Sequence, residues 1–381
     1  MKYVVPNKST GGPSELDRAF ALARPASPAN PGGDWIVIEE GEHETRGAWA
    51  FREQGYKMGF GGVPIESKGV VRLSTNSARV TAGSDGNSAE RPDRDFWFTF
   101  GAGTRLYGGT WDLNWRAFDG ATPWYCCGLR FVEGGSNDVD GITIRGLRGT
   151  YPGRGSGTKN DAVEAFALSC AGKPGPMRWN NVRVEDARPD SYVSGIFPGA
   201  GFAANGSPLV LDSGARIIVS GCNVDLGAEN WFAYSSNVSA SDASVVPVEF
   251  VRCKGTGIQR GFHNDTGPTH AILRECALKF SWSGISLAAG SPSTQRVVIL
   301  DRCDLDGDCG IDLVGVAEQT VIAIGTTFRG TRFGAVASKN SRIVVIDPAG
   351  AGASGTFQIL DSGAARLTLD DRRMTLTRQI A

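Results

Sequence analysis

VPVEFVRCKGTGIQRGFHND (246–265), HAILRECALKFSWSGISLAA (270–289), RVVILDRCDLDGDCGIDLVG (296–315) and TVIAIGTTFRGTRFGAVASK (320–339) are four versions of one pattern. In each, an apolar residue stands three positions before a small one: Phe250 before Cys253, Leu273 before Cys276, Leu300 before Cys303, Ala323 before Thr326. A glycine follows at Gly261, Gly284, Gly310 and Gly334, which gives periods of 23, 26 and 24 residues. A period in this range marks a stacked solenoid, because one such unit cannot bury its apolar face alone.

Each period holds a short β-branched run, a turn and a second run opening on Gly-Ile or Gly-Phe, with no ten-residue amphipathic stretch. The pattern therefore favours strands over helical repeats. Parallel strands of successive coils pair at ~4.8 Å and leave an inward column of Leu, Ile, Phe and Cys. The expected fold is all-β: a single-stranded right-handed parallel β-helix of about ten coils. In architecture this pattern resembles the pectin-lyase-like right-handed parallel β-helices, from about Gly32 to the C-terminus.

Working outward, Pro13-Ser14-Glu15-Leu16-Asp17 opens a short helix with Ser14 as cap and Leu16, Phe20 and Ala23 on one face. Placed there, the helix covers an open solenoid end that would otherwise invite association. Residues 1–33 are thus read as an N-terminal segment with this capping helix, 34–347 as the β-helix and 348–381 as C-terminal strands or cap. Trp35 to Ile38 is the expected first strand, Phe96 to Phe100 resumes strand after a polar excursion, and Gly128 to Phe131, Ile142 to Ile144, Val182 to Val184 and Ile217 to Cys222 track later coils. Loops at 173–176, 199–208 and 235–244 lengthen the period, and long loops on one side of a rigid coil form cleft walls.

Composition narrows the partners. The formal charge is −1, from 39 basic and 40 acidic side chains, so no overall field favours nucleic acid or an anionic membrane. No apolar run is long enough for a spanning helix, and the start MKYVVPNKSTGG lacks the apolar stretch of a secretory signal. Extracellular, periplasmic or virion-associated action is expected all the same. Of eight cysteines, Cys222, Cys253, Cys276 and Cys303 fall in one repeat column and read as small buried hydrophobes stacked in a turn, which leans toward folding in a reducing compartment.

Strand alternation places the residue two after each repeat glycine on the solvent side, selecting Arg130, Glu164, Phe197, Ala233, His263, Ser286, Asp312 and Val336 as one line. A turn-edge line runs beside it: Asn160 and Asp161, Glu229 and Asn230, Gln259 and Arg260, Trp282 and Ser283, Asp308. In the family resembled, the sheet after such a turn generally carries the active cleft. Lys159-Asn160-Asp161 with Val163-Glu164 is similar to the turn and strand of polygalacturonase-like hydrolases, and Gly307-Asp308-Cys309-Gly310 weakly to their Gly-Asp-Asp-Cys segment. The paired aspartates and the Gly-His-Gly and Arg-Ile-Lys motifs of those enzymes are absent, so their mechanism is not carried over.

Two chemistries then compete. Paired carboxylates flanking a glycosidic bond act as acid and base, and Asp161, Glu164 and Glu229 are the candidates; Asp161 and Glu229 fall about two coils apart, ~9.6 Å along the axis. The plainer reading of Asp161 is a turn cap and of Glu229 an exposed loop carboxylate. Elimination on a uronate polymer instead needs a base and a cation that neutralises the carboxyl, and His263 with Arg260 supplies them. Asp265 adds a ligand or an orienting group, yet no spacing has the specificity of a metal site; no cofactor is expected, with calcium entering only under elimination.

Trp231 and Trp282, with Trp124 and Tyr125, lie near strand starts and suit pyranose faces, while Arg130, Lys159, Asn160, Asn230, Asp308 and Asp312 suit hydroxyls. The alternative for each tryptophan is packing under a loop. Carboxylates outnumber cations on the line, which favours hydrolysis of a polysaccharide or oligosaccharide over elimination. A second class is a carbohydrate-binding spike or fibre of a phage-like particle, homotrimeric in that setting.

Overall fold

A computed structural model describes residues 1–7, 15–45, 62–73, 95–101, 103–118, 125–131, 137–149, 165–170, 176–189, 191–198, 209–211, 216–236, 238–240, 248–264, 267–288, 295–314, 318–330, 332–336, 341–346, 356–361, 366–370 and 375–380. They are mostly strand, in parallel sheets that curl, and they divide into two compact units, Met1–Phe197 and Pro198–Ala381.

In the first unit one sheet runs, in spatial order, through Lys2–Val5, Trp35–Ile38, Pro64–Ser67, Arg105–Tyr107, Asp138–Asp140 and Met177–Asn180, all parallel. Its register stacks Ile36, Ile65, Leu106, Val139 and Trp179, every one fully buried. The strand Lys2–Val5 was not anticipated from sequence; four residues carry too little periodicity to announce themselves. The helix is Glu15–Leu22, with Leu16, Ala19 and Phe20 buried against the first strands. Thr45 Oγ1 donates 2.6 Å to Asp17, so that residue ties the helix to a strand.

In the second unit the first sheet orders Ile217–Ser220, Val248–Val251, Thr269–Arg274, Gln295–Asp301, Glu318–Ile324, Ser341–Ile346 and Arg366–Asp370. Each of these strands is followed by one or two in a second sheet, beginning Asn223–Tyr234, Lys254–Asn264 and Ala277–Leu287. Equivalent strands of successive repeats pair with each other, so one apolar column serves the whole stack: Phe250, Leu273, Leu300, Ala323 and Val345 lie in register and are buried. Burying each Leu or Phe contributes about 1.5–3 kcal/mol.

The turn joining the two sheets explains the cysteine column. Arg252, Glu275 and Arg302 adopt φ of 52°, 54° and 53°, with Gly221 and Gly325 left-handed in the same place. This bend points the next side chain inward. Cys253, Cys276 and Cys303 then donate S–H at 3.4, 3.4 and 3.2 Å to Val219, Phe250 and Leu273 carbonyls of the preceding repeat. All six cysteines whose side chains are described are buried and unbridged.

Two sequence alignments need correcting by register. Gly334 pairs with Ile311, not Gly310, because the last repeat places its glycine one position later; Asp312 therefore neighbours Ala335 rather than Val336. Likewise Phe262 pairs with Tyr234, which removes Ala233 from the line of His263.

Candidate functional site

The sequence candidates that come together do so on the strands Asn223–Tyr234, Lys254–Asn264, Ala277–Leu287 and Cys309–Leu313 of the second unit. The approach of their backbones begins at glycines. Gly257 has φ +68°, and a Cβ there would lie 1.7 Å from Gly227 O, so these two positions pass backbone against backbone. The register shifts nearby, between Asp225 and Asn230 on one strand and between Gly255 and Ile258 on its neighbour. Such irregularities bend a strand and re-aim the side chains that follow.

Asn230 closes this bulge. Its Nδ2 donates 2.6 Å to Leu226 O, and the residue is fully buried. The expectation of a turn-edge hydroxyl binder therefore meets an asparagine committed to its own strand. Beyond it, the Arg260 guanidinium carbon sits 4.0 Å from the Trp231 ring centroid and 3.8 Å from that of Trp282. A guanidinium between two indoles is attracted by both quadrupoles, each contact contributing about 0.5–2 kcal/mol. Arg260 is only 6% exposed, while Trp282 is 43% exposed and Trp231 half-buried. The edge of this stack is extended by His263, whose ring lies 5.5 Å from Trp231 and 5.6 Å from Phe232.

The line read as solvent-facing is covered. His263, Ser286 and Asp312 occupy one register row, as expected, but they are 3%, 2% and 7% exposed. Alternation predicts an open outer face only when nothing packs there, and parallel strands are commonly covered on both sides. The Trp231 and Phe232 rings do this over His263. The order of the row also limits its chemistry. Ser286 lies between the other two, leaving His263 and Asp312 two strand spacings, ~9.6 Å, apart. An Asp–His–Ser relay requires the imidazole in the middle. This row does not have that order.

The parallel row Arg260, Ser283 and Cys309 behaves as structure: Ser283 Oγ and Cys309 Sγ each donate to the carbonyl two residues on, at 3.0 and 3.3 Å. Asp308 stands half-buried in the turn before Cys309. Arg130 is half-buried on Tyr125–Phe131 of the first unit, where it pairs with Ser169 beside Cys170. Burial pushes the Cys170 thiol up to about 12, against the opposing pull of Arg130. His43 is buried with Nε2 2.9 Å from Glu39 O, and His270 is buried too.

Lys159, Asn160, Asp161, Glu164, Trp124 and Asp265 lie outside the described residues, and of Glu229 only the backbone, within Asn223–Tyr234, is described. Sequence reasoning missed Phe232 and Asn264. Phe232 shares the register position of Arg260, and the Asn264 Nδ2 donates to Ser236 O. The repeat period was the signal that could have found both. Among the described residues no group of His, Cys, Asp and Glu is placed to hold a metal ion, and no helix is long and apolar enough to cross a membrane. Scanned against models of protein families the chain matches none, and no curated protein matches it.

Proposed function

We propose that the protein is a polysaccharide-active member of the pectin-lyase-like class, a single right-handed parallel β-helix of about ten coils with the helix Glu15–Leu22 capping its N-terminal end. The glycan lies along the second sheet, with a sugar ring against Trp282. The observation that supports this reading is the stack of Trp231, Arg260 and Trp282. One indole face is occupied by the guanidinium, which holds the ring in place, and Trp282 remains 43% exposed. A rigid, partly wet aromatic surface is what the apolar face of a pyranose requires.

Cleavage, in this proposal, is hydrolysis by a carboxylate acid and base; Glu229, on the strand Asn223–Tyr234 that also carries Trp231, is the candidate of the second unit, and Asp161 and Glu164 are those of the first. Elimination through Arg260 and His263 is disfavoured, because both side chains are buried and the guanidinium is held between two rings rather than open to a substrate carboxylate. The same burial supports a second reading, a carbohydrate-binding spike without catalysis.

The test is incubation of the full chain with neutral and acidic polysaccharides, following new reducing ends and the ultraviolet absorbance of unsaturated uronates, with binding measured in parallel. Reducing ends alone support hydrolysis, absorbance as well supports elimination, and binding without either leaves the spike. In every arm Trp282→Ala is expected to weaken binding roughly tenfold, about 1.4 kcal/mol. Wild-type affinity in that variant, or no binding to any glycan, sinks the proposal.

A further inference from the structure

The surface around Trp282 carries charges of both signs. Three residues before it on the same strand, Lys279 is exposed and pairs in register with the half-buried Asp306 of the next repeat. One repeat further, Arg329 is the register partner of Asp306 and donates to both carboxylate oxygens of Asp304, at 2.9 and 3.3 Å. Asp308 precedes Cys309, the register partner of Ser283, and so stands level with Trp282. On the two preceding strands Asp225 and Lys254 are exposed and add one charge of each sign. Beneath this surface lies the buried Arg260, its guanidinium carbon 3.8 Å from the Trp282 centroid. With the covered His263 and Asp312 set aside, carboxylates and cations at these positions match one for one once Arg260 is included.

We propose that this site takes glycans built of uncharged hexopyranose units, and that Arg260 is the residue that turns amino sugars away. The inference rests on the glycan reading given above and deepens it to a substrate class. Each kind of charged sugar meets its own obstacle. An indole attracts a cation through its quadrupole, but Arg260 already satisfies that attraction on one face of Trp282. A protonated amine on the outer face would sit ~8 Å from the guanidinium, within about one Debye length, and be repelled by it. A uronate chain brings a carboxylate on every unit. Along this surface it would meet Lys279 and Arg329, each already facing a carboxylate, and would pass Asp306 and Asp308 beside them. The remaining cation, Arg260, is buried between its two rings. An uncharged ring meets neither obstacle. Its axial hydrogens lie on the indole, and its hydroxyls both donate and accept, which suits a rim that offers carboxylates and an ammonium side by side.

The test is the affinity of the full chain, by titration calorimetry, for oligosaccharides of gluco, galacto and manno configuration. Each is presented as the neutral sugar and as its uronate, with the 2-amino glucan added, at about pH 5.5, where amines are protonated and carboxyls ionised. The expected result is a neutral oligosaccharide bound at least about tenfold more tightly than its charged counterparts. Its affinity is expected to change less than about twofold between about 0.05 and 0.5 M salt. Arg260→Met, which leaves apolar bulk between the rings, is expected to narrow the preference over the amino sugar by about tenfold, while Arg260→Lys, which keeps a cation there, retains it. Circular dichroism melts check that both variants fold; should Arg260→Met fail to, the wild-type series still decides the class. An undiminished preference in folded Arg260→Met overturns the role of Arg260. Equal or tighter binding of a uronate or amino sugar by the wild type overturns the substrate class and leaves the glycan reading standing. Binding to no member of the series overturns that reading, and this inference with it.

Discussion

Arg296 shows how single residues hold the sheets together. It is 1% exposed, yet its Nε donates 2.9 Å to Gly267 O and its Nη1 2.7 Å to Ala288 O. Its register neighbours Thr269, Gln319 and Ser341 are buried as well. Gln319 Nε2 reaches Leu287 O at 3.1 Å, and Ser341 Oγ donates to Gln319 Oε1 at 3.3 Å. These side chains bind carbonyls where the chain leaves one sheet for the other, so removing a donor there strands a buried acceptor. Arg296→Met, which preserves bulk but no hydrogen bond, is expected to destabilise by about 2–5 kcal/mol in denaturant unfolding. Arg296→Lys, with one donor group in place of a fork, falls between. A change below about 0.5 kcal/mol for Arg296→Met would mean water serves those carbonyls equally well.

At the scale of elements, the thiol column has a chemical signature of its own. Burial raises the Cys253 thiol far above its ordinary range; for Cys276 and Cys303 the hydrogen bond with the preceding thiol leads, and burial adds to it. Since the thiolate is the nucleophile, alkylation of Cys253, Cys276 and Cys303 in the native protein is expected to be at least about a hundredfold slower than in denaturant. Site-resolved mass spectrometry checks this, and rapid labelling of Cys253 or Cys276 would show that the column is open. That column was legible in the sequence because its spacing to Phe250, Leu273 and Leu300 repeats. The left-handed bend before it was not, since Arg252, Glu275 and Arg302 carry no signature of positive φ; only Gly221 and Gly325 hint at it. The site divides in the same way. Repetition was enough to bring Trp231, Arg260, His263 and Trp282 onto neighbouring strands. Burial of His263, Ser286 and Asp312 depends on what covers a face, and the role of Asn230 depends on a bulge that exists only once strands pair. Neither is written in local periodicity.

At the scale of the whole second unit, the pairing of each strand with those of the repeats before and after makes stability a matter of neighbours. Where a repeat pairs only with the one before and the one after, damage at one repeat spreads to its neighbours and fades with distance. Leu300 is a clean place to test this. It is fully buried, its strand Gln295–Asp301 lies between Thr269–Arg274 and Glu318–Ile324, and its register partners are Leu273 and Ala323. Leu300→Ala is expected to cost about 2–5 kcal/mol locally through lost burial and the cavity left behind. Native-state hydrogen exchange then reads the pattern directly. Amides of Gln295–Asp301 lose most protection, those of Thr269–Arg274 and Glu318–Ile324 lose less, those of Val248–Val251 and Ser341–Ile346 less again, and those of Ile217–Ser220 and Arg366–Asp370 least. The alternative is a unit that opens all at once, in which every strand of Pro198–Ala381 would lose the same protection whatever its distance from Leu300. A graded profile identifies the interface between repeats as the unit of stability; a uniform one identifies the whole second unit.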